Sequence, residues 1–285
     1  MSAPRESEMA RFWREDGGPR WVQLQDELDR QLAGVGEATL DAAALQAGES
    51  VLDIGCGCGA STIGLADRLG PESRLVGLDV AGVSLARARE RLDAAGHAHV
   101  ELVERDARDH GFASEFDLLF SRFGLMFFEE PAEGLAAVRQ VLRPGGRLTT
   151  CCWRDRAANA WFDLSARAAE DLVELPPPAE PGAPGPFAFE DGERLQRLLD
   201  EAGWTEVVLE RWDGELAMGG GGERLEATVD FTLKMGPLAR ALADADDGVE
   251  QVLRDRLTEA FEPHFRPGVG AVFPATSWIV HARNP

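Results

Sequence analysis

Apolar and polar positions along the chain alternate between two periods. Residues 21 to 46 carry apolar side chains at helical spacing, with a break expected near Gly34 to Gly36. Short, nearly continuous apolar runs follow, each paired with a helical pattern. VLDIG (51–55) precedes ASTIGLADRLG, which Gly70-Pro71 stops. RLVGLDV (74–80) precedes SLARARERLDAAG, ending at Gly96. VELVERDA (100–107) and FDLLFSRF (116–123) read as third and fourth strands, the latter apolar enough to be buried on both faces. PAEGLAAVRQVL (131–142) starts a helix with proline in its first turn and stops at the turn Arg143-Pro144-Gly145-Gly146. RLTTCCW (147–153) is a fifth strand.

A proline-rich connection, ELPPPAEPGAPGPFAF, then precedes the helix DGERLQRLLDEAGW and the strand EVVLERW (206–212). Gly219 to Gly222 form a glycine hinge or loop, residues 223 to 265 read as helices, and TSWIVHAR is a last strand. Strands alternating with helices of this length predict an α/β fold built on a doubly wound, mostly parallel sheet. Three segments follow: an N-terminal helical segment or lid (1–46), a core made of 47–212 and 269–285, and a helical insertion (213–268) covering the site.

The chain has 285 residues, 44% of them apolar, enough for a sizeable core. No run approaches a membrane span, and the N-terminus lacks a signal-peptide core, so a soluble cytoplasmic protein is expected. Fifty acidic residues against 29 basic ones give a net charge of −21, a field that repels nucleic acid and anionic lipid. Lys234 is the lone lysine; such a composition fits a salt-adapted host or a GC-rich genome. Cys56, Cys58, Cys151 and Cys152 lack metal-ligand spacing and have no histidine beside them, so small packing residues are expected and no metal.

The chemistry concentrates in VLDIGCGCGAST. Gly55, Gly57 and Gly59 allow a sharp turn and close backbone approach between a first strand and its helix, where open sheets bind ligands. Gly55-x-Gly57-x-x-Ala60 loosely matches a dinucleotide fingerprint, which leaves an NAD(P)-dependent oxidoreductase as an alternative. Asp53 argues against it, because a carboxylate there repels pyrophosphate, and the chain has no tyrosine for a Ser-Tyr-Lys set. Asp79 and Asp106 end the second and third strands, placed to accept from ribose hydroxyls and an adenine amino group.

Together Asp53-x-Gly55-x-Gly57-x-Gly59, Asp79, Asp106-Ala107, Phe116-Asp117 and Leu142-Arg-Pro-Gly-Gly146 resemble the class I S-adenosylmethionine-dependent methyltransferases, in their small-molecule, quinone-methylase-like branch. The resemblance is tight over about 48 to 153. It implies a seven-stranded sheet whose last strand is antiparallel and inserted beside the sixth. It further implies S-adenosyl-L-methionine as cofactor, with Gly55, Cys56, Gly57 and Gly59 cradling its methionine part and Asp53 facing the amino group. Asp79 and Val80 would meet the ribose, Asp106 and Ala107 the adenine, and Ser121 would flank the methionine. Asp117, starting its strand, is expected to be structural.

The expected partner is a small-molecule methyl acceptor bound by a monomer or homodimer, with neutral or cationic acceptors slightly favoured by the charge. A non-catalytic cofactor-binding module is the remaining alternative. Trp13, Trp21, Phe123, Met126 and Trp153 are the expected acceptor wall, with Phe12, Phe127, Phe128, Trp161 and Phe162 nearby in sequence. Candidate catalytic groups are His110, Arg122 and His264, Arg122 also as a partner for an acceptor carboxylate. His97, His99 and His281 are expected at the surface.

Overall fold

In a computed structural model the described residues are 7–177, 179–220, 222, 224–243, 245 and 248–285. Gly221, inside the expected glycine loop, and Glu223, the first residue of the expected helical stretch, lie outside them, as do residues 1–6, 178, 244, 246 and 247. Short helix α1 (Glu8–Phe12) runs through a π-helical turn, Trp13–Gly17, into α2 (Gly18–Gln23) and α3 (Gln25–Ala42). Five strands and three helices follow: β1 (Ser50–Ile54), α4 (Ala60–Leu69), β2 (Arg74–Asp79), α5 (Gly82–Ala94), β3 (Glu101–Glu104), β4 (Phe116–Arg122), α6 (Pro131–Arg139) and β5 (Leu142–Trp153). Then come α7 (Leu164–Ala169), α8 (Gly192–Glu201), β6 (Thr205–Ala217), α9 (Leu225–Leu233), α10 (Gly236–Ala243), α11 (Val249–Phe261), the short β7 (Phe265–Arg266) and β8 (Gly270–Arg283).

The main sheet is ordered β3-β2-β1-β4-β5-β8-β6. Strands β1 to β5 pair in parallel, and β8 lies antiparallel between β5 and β6. This is the doubly wound, seven-membered order expected, with the last strand inserted beside the sixth. The central strands read as continuous apolar runs because helices cover both faces: Val51, Leu52, Leu118, Leu119 and Phe120 are fully buried. One core cluster lies on the α3 and α6 side and a second under α4 and α5. The order reverses between β1 and β4, which opens a crevice at their carboxyl ends.

Several boundaries differ from expectation. Helix α3 runs unbroken through Gly34 and Gly36. Both glycines face neighbours across the helix surface, Gly34 towards Trp212 and Gly36 towards Arg122, and the packing of α3 on the sheet carries the helix through them. The third strand is short because Asp106 caps a 3₁₀ turn, Ala107–Asp109, where the strand was expected to continue. The turn expected at 143–146 is absorbed as a bulge within β5. The segment from 213 is strand as far as Ala217, because β6 continues its pairing with β8, so helix resumes only at Leu225. No helix among the described residues is long and apolar enough to cross a membrane.

Candidate active site

The loop after β1 is built around positive φ angles. Gly55, Gly57 and Gly59 have φ of +68°, +53° and +82°, which side chains rarely tolerate. A Cβ on Gly55 would stand 3.0 Å from Gly124, so this loop and the one after β4 touch backbone to backbone. Two aspartates fix the loop from different sides. Asp79 accepts the Gly57 N–H through Oδ2 at 2.9 Å and the Ala81 N–H through Oδ1 at 2.9 Å. Burial raises its pKa, against those bonds.

Asp53 lies beneath the loop, fully buried. Its Oδ2 accepts from the hydroxyls of Ser61 (2.8 Å) and Thr62 (2.7 Å), stapling β1 to the first turn of α4. Its Oδ1 is buried with no hydrogen-bond partner among the described residues. Burial pushes its pKa up to about 6.

Above the loop is a cavity of about 430 Å³, within the range of small-molecule sites. Its floor is Ile54 to Gly57 with Asp79 and Val80; Asp106 and Ala107 form one side. The opposite side and roof are aromatic. Trp13 meets Trp21 and Phe127 edge-to-face at 5.9 and 5.0 Å between ring centres. Phe123 stacks on Trp153 at 4.4 Å, and Trp153 meets Trp161 edge-on at 5.4 Å. Phe123 is left-handed at φ +61°, a strained conformation for a bulky residue at the cavity wall. Its N–H donates to the Cys151 carbonyl at 3.1 Å, and the ring stack holds the side chain.

The roof is the N-terminal segment. The Met9 N–H donates to Glu129 (2.9 Å), Arg14 Nε to the Val80 carbonyl (3.2 Å), and Arg20 Nη1 to the Gly236 carbonyl (3.0 Å). The last of these joins roof to the α10 region, from which Met235, Gly236 and Arg240 reach the wall.

Of the expected cofactor residues, Gly55, Cys56, Gly57, Asp79, Val80, Asp106 and Ala107 line the cavity; Asp53, Gly59 and Ser121 do not. Gly59 caps α4 and packs on Ala88. Ser121, expected to flank the methionine, is fully buried and donates instead to the Ile54 carbonyl at 2.8 Å, tying β4 to β1. Asp106 lines the wall, but Arg108 grips both its carboxylate oxygens, with Nη2 2.6 Å from Oδ2. Arg108 thereby holds the Asp106 pKa down against the effect of burial, which acts to raise it.

All five expected acceptor-wall residues, Trp13, Trp21, Phe123, Met126 and Trp153, face the cavity, as do the five neighbouring aromatics. Two catalytic candidates fall away. His110 lies outside the wall, with Nε2 3.3 Å from the Ala137 carbonyl and its ring stacked on Phe112. His264 packs on Phe273 at 4.3 Å, after α11 and away from the cavity. Arg122 remains. His281, expected at the surface, is half-buried beside Thr149, and burial lowers its pKa.

Sequence reasoning missed Leu28, Gln31 and Leu32, which wall the cavity from α3; their helical spacing was the available signal. Arg20, Glu129 and Arg240 carried no local signal. All four cysteines are buried free thiols, and burial pushes the pKa values of Cys58 and Cys151 up to about 11. Among the described residues no His, Cys, Asp or Glu cluster could hold a metal ion.

Residues 51–146 match the Methyltransferase domain family. The chain is 31% identical over 169 residues to the demethylmenaquinone methyltransferase of Corynebacterium kroppenstedtii, covering 56% of this chain and 69% of that one. It belongs to the class I S-adenosylmethionine-dependent methyltransferases.

The chain is also 32% identical over 128 residues to aklanonic acid methyltransferase DauC of a Streptomyces species, covering 45% of this chain and 55% of DauC. In several of the curated relatives it matches, DauC among them, it spans about half the relative's length. Its fold is shared with Haemonchus contortus phosphoethanolamine N-methyltransferase 2, a structure in complex with S-adenosyl-L-methionine (TM-score 0.55, 14% identity, 99% of this chain and 61% of that one).

The lining fits such a cofactor. At Gly57 a Cβ would occupy cavity space, its nearest neighbour being the Trp21 Nε1 at 4.0 Å, so an added side chain would take the room a ligand needs. Asp79 is oriented by two amides, and each of its oxygens keeps capacity to accept a further hydroxyl.

Proposed function

We propose that the protein transfers a methyl group from S-adenosyl-L-methionine to a small, flat, largely apolar acceptor. The observation that carries this reading is the continuity of the glycine floor with the aromatic wall: one cavity holds both the nucleotide-type acceptors and a dry, ring-lined half. When bound, S-adenosyl-L-methionine supplies a sulfonium methyl that is already activated for transfer. The chain's own contribution is placement and exclusion of water.

Gly55 to Gly57 would leave room for the methionine part, their own N–H groups being spent on the Leu78 carbonyl and Asp79. Asp79 would accept from ribose hydroxyls, and Ala107 would lie at the adenine end. Asp106, already gripped by Arg108, positions that guanidinium along the adenine side rather than serving as a free acceptor. Phe123, Trp153 and Trp161, packed on one another, would wall in a planar acceptor. Asp53 acts from below, holding the loop to α4.

No histidine lines the wall among the described residues, and Cys56 is a buried thiol whose pKa is pushed well up by burial. Of the wall carboxylates, Asp79, Asp106 and Glu129 already accept hydrogen bonds, and Asp16 lies exposed on the roof. The arrangement suits an acceptor that is ionised beforehand or gives its proton to water.

Calorimetric titration with S-adenosylhomocysteine tests the cradle. The parent is expected to bind, and Asp79→Ala to bind about 100-fold more weakly, as two charge-assisted bonds to a ligand are lost. A folded parent that binds NADH instead would return the dinucleotide reading. Turnover in a panel of phenols, quinols, acids and amines then separates an enzyme from a binding module.

A further inference from the structure

Arg122 stands at the end of β4, in the cavity wall, with its side chain only 12% exposed. A guanidinium offers five N–H donors, and burying it with most of them unspent is unfavourable. Its single side-chain hydrogen bond among the described residues runs from Nη2 to Asp29 Oδ1 at 3.5 Å, the outer limit for such a bond. Asp29 is otherwise engaged: Arg91 reaches its Oδ2 at 2.8 Å and Gln25 at 2.7 Å. Asp29 is therefore Arg91's partner, and Arg122 sits beside a carboxylate already shared.

Arg122 lies along α3, beside Asp29 and Gly36, and aromatic and apolar residues share its wall. Its chain neighbour Phe123 stacks on Trp153, and Leu28 and Leu32 of α3 stand on the same wall. Two more arginines mark the α10 lip: Arg240 and Arg20, the latter bonded to the Gly236 carbonyl. Among the described residues the wall carries five arginines against four carboxylates, Asp106 being gripped by Arg108, so the cavity lacks the acid excess of a chain of net charge −21. Local charge, and not the total, sets what the cavity admits.

Resting on the methyltransferase reading, we propose that the acceptor is a planar apolar molecule bearing a carboxylate, and that Arg122 pairs with that carboxylate inside the cavity. A bidentate guanidinium–carboxylate pair spends the donors left open, and the ring walls bury the flat remainder. Arg122 is then the residue that sets specificity for acids over neutral analogues. The acid preference replaces the leaning toward neutral or cationic acceptors drawn from total charge.

The test uses the full chain, first titrated with S-adenosylhomocysteine and then, saturated with it, with 2-naphthoate and 2-naphthamide as probes. The acid is expected to bind at least about tenfold tighter than the amide, the size of one charge-assisted pair. Arg122→Gln should abolish that preference and Arg122→Lys keep part of it, with S-adenosylhomocysteine affinity unchanged and the fold retained in both. Equal binding of acid and amide by the parent overturns the proposal. So does a loss of S-adenosylhomocysteine affinity in Arg122→Gln with the acid preference intact, which assigns Arg122 to the cofactor's own carboxylate. A parent that binds no S-adenosylhomocysteine instead defeats the methyltransferase reading itself, and is read before either probe is added.

Discussion

Two aspartates that look alike in sequence do different work. Asp79 ends β2 facing the cavity, whereas Asp53 precedes the glycines but points under them. The cost of burying Asp53 has a sign that can be measured. Its folded pKa, about 6, lies above the ordinary 3.8, so the folded state holds its proton more tightly than the unfolded chain. That contribution to stability is full below pH 3.8 and is lost as pH rises through 6. Between pH 5 and 7.5 the parent should therefore lose roughly 1 kcal/mol relative to Asp53→Asn, whose amide does not titrate. Urea unfolding of both proteins across that range checks it; parallel stability curves would show that Asp53 ionises normally. Phe123 gives a second prediction at this scale. Removing its ring costs the stack on Trp153, and only glycine, which has no Cβ, relieves the left-handed backbone. Phe123→Ala should lose about 3 kcal/mol of stability, and Phe123→Gly less than that, since glycine accepts the φ freely. An order reversed between these two would mean that the backbone there carries no strain.

At the scale of elements, the strands were legible because each is a short apolar run between turn residues, and the cradle because three glycines in five positions have few other uses. What was not legible depends on partners distant in sequence. Gly34 and Gly36 look like helix breakers until α3 is seen packed on the sheet. Ser121 looks like a ligand contact until the Ile54 carbonyl is found 2.8 Å away. Asp106 looks free until Arg108 closes on it. The roof is the clearest case: Trp13 and Trp21 were suspected of lining the site, but nothing local announces a π-helical turn. That turn lets Gly18 come down on α5, where an added Cβ would stand 2.4 Å from the Trp13 carbonyl and 2.9 Å from the Ala81 Cβ. Gly18→Val is accordingly expected to lift the roof while leaving the sheet intact. Trypsin should then cut at Arg11 or Arg14 several-fold faster, and S-adenosylhomocysteine should dissociate faster, with the far-UV spectrum unchanged. Parental rates of both would show that the roof takes no part in retaining the ligand.

For the whole molecule the governing quantity is charge. Fifty acidic side chains face 29 basic ones, so even if every arginine and the lysine found an acid, 21 carboxylates would remain in excess. The ion pairs are numerous but mostly exposed, such as Arg68 with Glu37 at 2.6 Å and Arg266 with Glu215 at 2.7 Å, and exposed pairs contribute little. Added salt screens both the pairs and the unbalanced excess, over a Debye length of about 10 Å at 0.1 M and 3 Å at 1 M. The two effects oppose each other: screening the pairs destabilises, and screening the excess stabilises. Because the pairs are short-range and individually small while the repulsion sums over the surface, the second should win. Tm is expected to rise between 0.05 and 1 M sodium chloride, by about 3 °C for each 2 kcal/mol of repulsion relieved in a chain of this length. Chloride is the salt to use, since sulfate strengthens apolar burial in any protein and would hide the effect. A Tm that falls with salt would mean that the arginine–carboxylate pairs, and not the acid excess, dominate the surface. The same titration bears on the cavity: anion recognition by a largely buried arginine should survive salt that erases the surface field, because a buried pair is screened far less than exposed ones.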